Sequence, residues 1–457
     1  MAALRRSSRR MLLWTSISVV VLALIAVGAV VVALRIDAAD ELPPGFPPQP
    51  AAITVDPQIR PVSAAAPEPT PAGIAAAIAQ EVRAPELGEF TGQISDVLTG
   101  DVLWSDDPTI PRTPASNTKI LTASAALLDL PHDKRLTTTV VAGPNGQIIL
   151  TGSGDPTLSA QPTGAQTFYT DAPRIADLAE QIAKSGVAVT SVAVDTGAFT
   201  GPSFDSTWDR LDIAGGDITP IEALMTDGGR IDPLDEFSPR QAEPALAAGQ
   251  ALAEALGVDA TVTAVTAPAG AAVIASVQSA PLETRVADMM RHSDNVLAET
   301  LGIELSVARG GPATLAGGVA AVESVLREHG FDLTGVTLAD TSGLSAANRI
   351  PATLLDRLMT AASGPSQPLM RPMLDGLPVA GGTGTLADRF DPTVNPGAGW
   401  VRAKTGTLTG VSSLTGIVQT IDGRVLSFAL MSGGTSPADA RPALDDVAGE
   451  LRKCGCR

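Results

Sequence analysis

The chain predicts a mixed α/β fold of the α+β type, in which a two-part body is interrupted by a β-rich insertion and preceded by an apolar segment and a proline-rich linker. Three observations carry that expectation. Apolar, helix-forming text stands at ILTASAALL, just after Ser116, and again at PLETRVADMMRHSDNVLAETLGIEL. Alternating, turn-punctuated text such as TTTVVAGPNGQIILTGSGDPTL fills residues 137–280. VSSLTGIVQTIDG followed by RVLSFALMSGG reads as a strand pair near the end, before a helix from Pro437. At 457 residues the chain has room for two or three cores.

In chain order, residues 1–10 form a basic tail carrying Arg5, Arg6, Arg9 and Arg10, and residues 11–34 hold no charge. As a helix that run spans about 36 Å, enough to cross a bilayer. It exceeds the apolar core of a cleavable leader, roughly 7 to 15 residues, so we read a retained transmembrane signal anchor. The arginines place the tail in the cytoplasm and the remainder outside the cell membrane. Residues 35–73 form the linker, which proline keeps extended and semi-rigid. The body is read as 74–136 and 281–457, opening with a hairpin in TGQISDVLTGDVLWSDD, and the insertion as 137–280.

The formal charge of −18 and the lack of a basic stripe past the tail exclude nucleic acid as a partner. Only Cys454 and Cys456 occur, so the body holds no disulfide framework and no cysteine zinc pattern. Three histidines, His132, His292 and His329, are a thin supply for zinc or Ser-His-Asp chemistry. A hydrolase built from this chain needs another base.

Ser116-Asn117-Thr118-Lys119, Ser293-Asp294-Asn295 and Lys404-Thr405-Gly406 supply it, as an ordered S-x-x-K, S-D-N and K-T-G set. Alone, each reads as a helix start, a helix cap or a turn. On a helix Ser116 and Lys119 share a face, so the amine reaches the hydroxyl. Burial and the like charge of Lys404 would both lower the pKa of Lys119, and a neutral lysine can take the serine proton. Ser293 and Asn295 fit a tight turn between two helices, Ser293 as proton relay and Asn295 as a holder of the substrate amide. Lys404 and Thr405 fit a strand on the cleft wall facing a terminal carboxylate, and Gly406 lets a substrate backbone approach. The amides of Ser116 and Thr407 then form an oxyanion hole.

With these motifs the sequence resembles the D-alanyl-D-alanine carboxypeptidase/endopeptidase family, the class C low-molecular-mass penicillin-binding proteins. GDPTL at 154–158, ITPIEALMTDGG from Ile218, ADTSGLS at 339–345 and LPVAGGTGTLADRF from Leu377 carry the resemblance further. So does the interval of 177 residues from Ser116 to Ser293, far longer than in class A β-lactamases. The resemblance implies a transpeptidase/β-lactamase-like catalytic domain and a Ser116 acyl-enzyme, with no metal or organic cofactor. It further implies peptidoglycan stem peptides ending in D-Ala-D-Ala as substrates, with β-lactams as covalent inhibitors. Where such proteins commonly carry an arginine after SGLS, this chain has Ala346, with Arg349 three residues on. A β-lactamase or esterase on the same fold is the alternative enzyme, and an idle wall-binding protein the alternative from another class.

Overall fold

A computed structural model describes residues 65–259 and 261–455. The apolar run 11–34 lies outside the described residues, and among those described no helix is long and apolar enough to cross a membrane. The end of the expected linker already packs on the body: Ala66 is buried, Arg424 donates to its carbonyl, and Thr70 caps helix α1 (Pro71–Ala77). The expected hairpin follows as β1 (Glu89–Asp96) and β2 (Val102–Asp106), with the Asp96 carboxylate accepting from the Leu98 and Thr99 amides in the turn.

A short 3-10 turn, Ala115–Asn117, feeds α2 (Thr118–Asp129), whose residues 118–128 are all buried. This helix is buried on every side and packs in the middle of a core with other helices. Next come β3 (Thr137–Ala142), β4 (Gln147–Thr151), α3 (Ile175–Ser185), β5 (Ser191–Asp195), α4 (Pro244–Leu256), β6 (Thr263–Ala264) and β7 (Val273–Gln278). They form a five-stranded sheet in the order β6-β5-β4-β3-β7. Because β4 pairs with β5 in parallel, a crossover must join them, and α3 supplies it. The segment is thus more than β-rich: α3 and α4 cover its sheet around a separate core.

The chain returns through α5 (Leu282–His292), α6 (Asn295–Ala308), α7 (Leu315–Glu328) and α8 (Ala352–Ser363), then β8 (Val401–Leu408), β9 (Val411–Gln419), β10 (Val425–Gly433) and α9 (Pro437–Lys453). These strands and the first hairpin make an antiparallel sheet in the order β2-β1-β10-β9-β8. One apolar cluster joins the helices to Ala429 and Met431 of β10, and another joins α9 to β8, β9 and β10, so helices cover both faces of the sheet. Cys454, just past α9, is buried and disulfide-bonded.

For the site, the decisive feature is that β8 is an edge strand. Pro378–Ala380 cover the first half of its free edge, through Ala403 N–H to Pro378 O (3.0 Å) and Ala380 N–H to Val401 O (3.0 Å). From Thr405 onward that edge opens on a cleft.

Candidate active site

Ser116 is half-buried at the mouth of α2, and Ala115 before it has φ +49°, uncommon for a residue with a Cβ. Gly343 packs against that turn so closely that a Cβ there would stand 1.9 Å from the Ala115 carbonyl oxygen. One helical step on, Lys119 is fully buried. Its Nζ donates to Asn295 Oδ1 (2.6 Å) and to the Ser342 carbonyl (2.7 Å), and it lies 3.0 Å from Ser116 Oγ. A neutral amine has two hydrogens and one lone pair. Two obligate acceptors consume the hydrogens, which leaves the lone pair for the Ser116 hydroxyl. Burial lowers the Lys119 pKa to about 8, outweighing the carboxylates of Asp340, Asp294, Glu299 and Asp217, which push it up.

Ser293 and Asn295 do sit in a turn between helices. Ser293 closes α5 with φ +55°, and Asp294 is the N-cap of α6, accepting from the Leu297 amide at 2.8 Å. The cap reading and the site reading hold together. Asp294 is fully buried and also accepts from Tyr169 Oη (2.8 Å) and Arg230 Nη2 (2.9 Å), and the Arg230 guanidinium lies 3.7 Å from the Phe168 ring centre. Burial pushes the Asp294 carboxyl up, but Arg230, Arg240 and the Leu297 amide together hold it well below the usual range. Asn295 Nδ2 donates to the Asp217 carbonyl (3.0 Å), which orients Oδ1 toward Lys119. Both ends of this amide are therefore engaged with the protein, where the sequence reading gave it to the substrate.

Lys404 differs from expectation in the same way. It is fully buried, and its Nζ donates to Ser293 Oγ (2.7 Å) and Thr405 O (2.8 Å). Burial, then the charge of Lys119, depresses its pKa strongly. The low pKa of Lys119 itself comes chiefly from burial. Gly406 answers to its own fold: a Cβ would lie 2.2 Å from Ser413 Oγ and 2.5 Å from Pro114 O, so glycine lets β8 touch the Ser116 turn. Hydrogen-bonding direction alternates along a strand, and Ala403 bonds outward, so the Thr405 and Thr407 amides also face the free edge. Ser116 occupies the first turn of its helix, where amides lack intrahelical partners. Ser116 and Thr407 thus supply amides on two sides of one cleft of ≈ 550 Å³.

Several residues of this site escaped the motifs. Glu299 accepts from the Thr341 and Ser342 amides, and Asp340 from the Gly343 and Ser345 amides and the Trp208 indole, so these two acids shape the loop whose Ser342 carbonyl meets Lys119. Burial and then Asp340 raise the Glu299 pKa to about 8. The ADTSGLS segment was the trace of Asp340 and Ser342 in the sequence, and Glu299 left none. Arg349 donates to Thr113 Oγ1 and to the Ala346 and Asn348 carbonyls, so it does not stand in for an arginine at 346. Among the described residues no group of three or more His, Cys, Asp or Glu is arranged to hold a metal ion.

The profile of the D-Ala-D-Ala carboxypeptidase 3 (S13) family matches residues 74–236 and 235–453. The chain belongs to the S13 family. It is 50% identical over 419 residues to a carboxypeptidase of Mycobacterium tuberculosis, covering 90% of each chain. It is 47% identical over 457 residues to carboxypeptidase DacB of Mycolicibacterium smegmatis, covering 99% of this chain and 98% of the other. Among solved structures, penicillin-binding protein 4 of Haemophilus influenzae shares the fold with a TM-score of 0.67 at 20% identity, over 83% of this chain and 98% of that one. Family membership makes this S13 chain a peptidase, and the three motifs meet in its open cleft.

Proposed function

We propose that this chain is a serine-type D-Ala-D-Ala carboxypeptidase that trims peptidoglycan stem peptides and is acylated by β-lactams, acting from outside the membrane on its N-terminal anchor. The observation that carries the chemistry is Lys119 with two fixed acceptors and its remaining site aimed at Ser116. Family membership carries the substrate class.

Ser116 Oγ attacks the carbonyl of the penultimate D-alanine while its proton passes to neutral Lys119. The oxyanion is met by the Ser116 and Thr407 amides. As the C–N bond breaks, Lys119 returns the proton to the leaving nitrogen with the Ser293 hydroxyl as relay, and D-alanine departs. Water then attacks the ester, gives one proton through Lys119 to Ser116 Oγ, and frees the shortened peptide. No redox partner is required. The uncharged run 11–34 behind four arginines supports the anchor and the outward topology.

One experiment tests both parts. Fractions from cells producing the full-length chain are labelled with fluorescent penicillin, and purified protein is given a D-Ala-D-Ala-terminated stem peptide. We expect one labelled band in the membrane fraction, and D-alanine release, both abolished by Ser116→Ala. Label surviving that substitution defeats the nucleophile, and label confined to secreted material defeats the anchor.

A further inference from the structure

The cleft must receive the free carboxylate that distinguishes a carboxypeptidase substrate, and Lys404 is poorly placed to do it. Its amine is fully buried, already donates to two oxygens, and has lost much of its hold on a proton. The other cations lining the cleft are mostly committed. Arg230 pairs with Asp294, Arg240 donates to the Gly216 and Gly228 carbonyls, and Arg389 forks onto Asp445 at 3.0 and 2.6 Å.

Arg441, on the N-terminal part of α9, is the exception. It lines the same cleft, and its Nε donates over 3.3 Å to Thr407 Oγ1. Among the described residues its Nη groups have no hydrogen-bond partner, and no carboxylate forms an ion pair with it. Asp388 lines the cleft too, without pairing to it. Partial desolvation and then the like charge of Arg389 lower its pKa, against the Asp445 carboxylate, which raises it. Arg441 is exposed, so its fork is open to a solute entering the cleft. Beside it stand the hydroxyls of Thr407 and Thr405, the latter 2.7 Å from Thr385 Oγ1. A guanidinium fork with neighbouring hydroxyl donors, at the open edge of β8, is what a carboxylate needs for bidentate recognition.

We propose that Arg441 is a substrate-binding residue, receiving the α-carboxylate of the leaving D-alanine together with the Thr405 and Thr407 hydroxyls, while Lys404 stays inside as the partner of Ser293. This rests on the carboxypeptidase reading and adds its specificity for a free C-terminus.

The test compares full-length wild type, Arg441→Gln and Arg441→Lys on a peptide ending in D-Ala-D-Ala and on its C-terminal amide. One charge-assisted hydrogen bond predicts that Arg441→Gln lowers kcat/KM on the free acid by about 10- to 100-fold, while the amide changes by less than about threefold. Arg441→Lys should restore part of the loss, and melting temperatures should stay within about 2 °C. Equal losses on acid and amide, or no loss on the acid, overturn the role of Arg441. Wild type inert on both peptides would instead overturn the carboxypeptidase reading.

Discussion

At the scale of single residues, Lys119 shows how one position is tuned by its surroundings. A lysine in water holds its proton near pH 10.4. Here burial brings the value to about 8, against four carboxylates that pull the other way. Because the base must be neutral, acylation by penicillin should slow as pH falls below about 8, approaching about tenfold per unit, and level off above it. Stopped-flow acylation from pH 6 to 10 checks this; a flat profile would mean that another group takes the proton. Linkage has the same origin. Between about 8 and 10.5 the unfolded chain still holds the proton that the folded chain has released, so this lysine makes stability rise with pH across that window.

At the scale of elements, the junction of α5 and α6 combines a helix stop, a helix start and two functional side chains in three residues. Asp294 caps α6 and is the partner of Arg230, both fully buried. Replacing one member of such a pair leaves an uncompensated buried charge, so Asp294→Asn should destabilise the protein by about 3–5 kcal/mol. Urea unfolding measures it, and a loss below about 1 kcal/mol would show that the ion pair is not what holds the turn. The pH dependence has the sign of a depressed carboxylate. The contribution is whole above the unfolded value of about 3.9 and is lost as pH falls toward the lower folded one. Ser293 and Asn295 flank this anchor, so its loss should also loosen the bonds to Lys404 and Lys119.

At the scale of the molecule, residues 137–280 are part of the site as well as an appendage to it. Tyr169 and Arg230 hold Asp294, Trp208 holds Asp340, and the Asp217 carbonyl orients Asn295. Trp208, Ile218, Ile221 and Met225 share an apolar cluster with Val296, Ile303 and Leu315. The ends of the segment meet, Thr137 opposite Gln278, so the loop can be cut out without stretching the chain. Replacing 137–278 by a short glycine linker should nevertheless abolish penicillin labelling, because it strips partners from two buried acids and bares that cluster. A soluble, labelled deletion variant would show instead that the segment is dispensable to the site.

Local chemistry determined what could be read in advance. The hairpin at 89–106, the strands at 411–433 and the buried helix after Ser116 follow from periodicity and turn residues. Ser116 and Lys119 were legible because a helix brings residues three apart onto one face. Contacts between remote segments were not legible, since spacing along a chain says nothing about what folds against it. Asn295 meeting Asp217 and Lys119, Lys404 meeting Ser293 across 111 positions, and Gly406 meeting Pro114 are all of that kind. So is the arrival of Arg441 from a helix after the last strand. The sequence by itself determined which groups could react; only the tertiary structure decided which were buried, which were paired, and which were left free for a substrate, because desolvation and partnership belong to the packed chain.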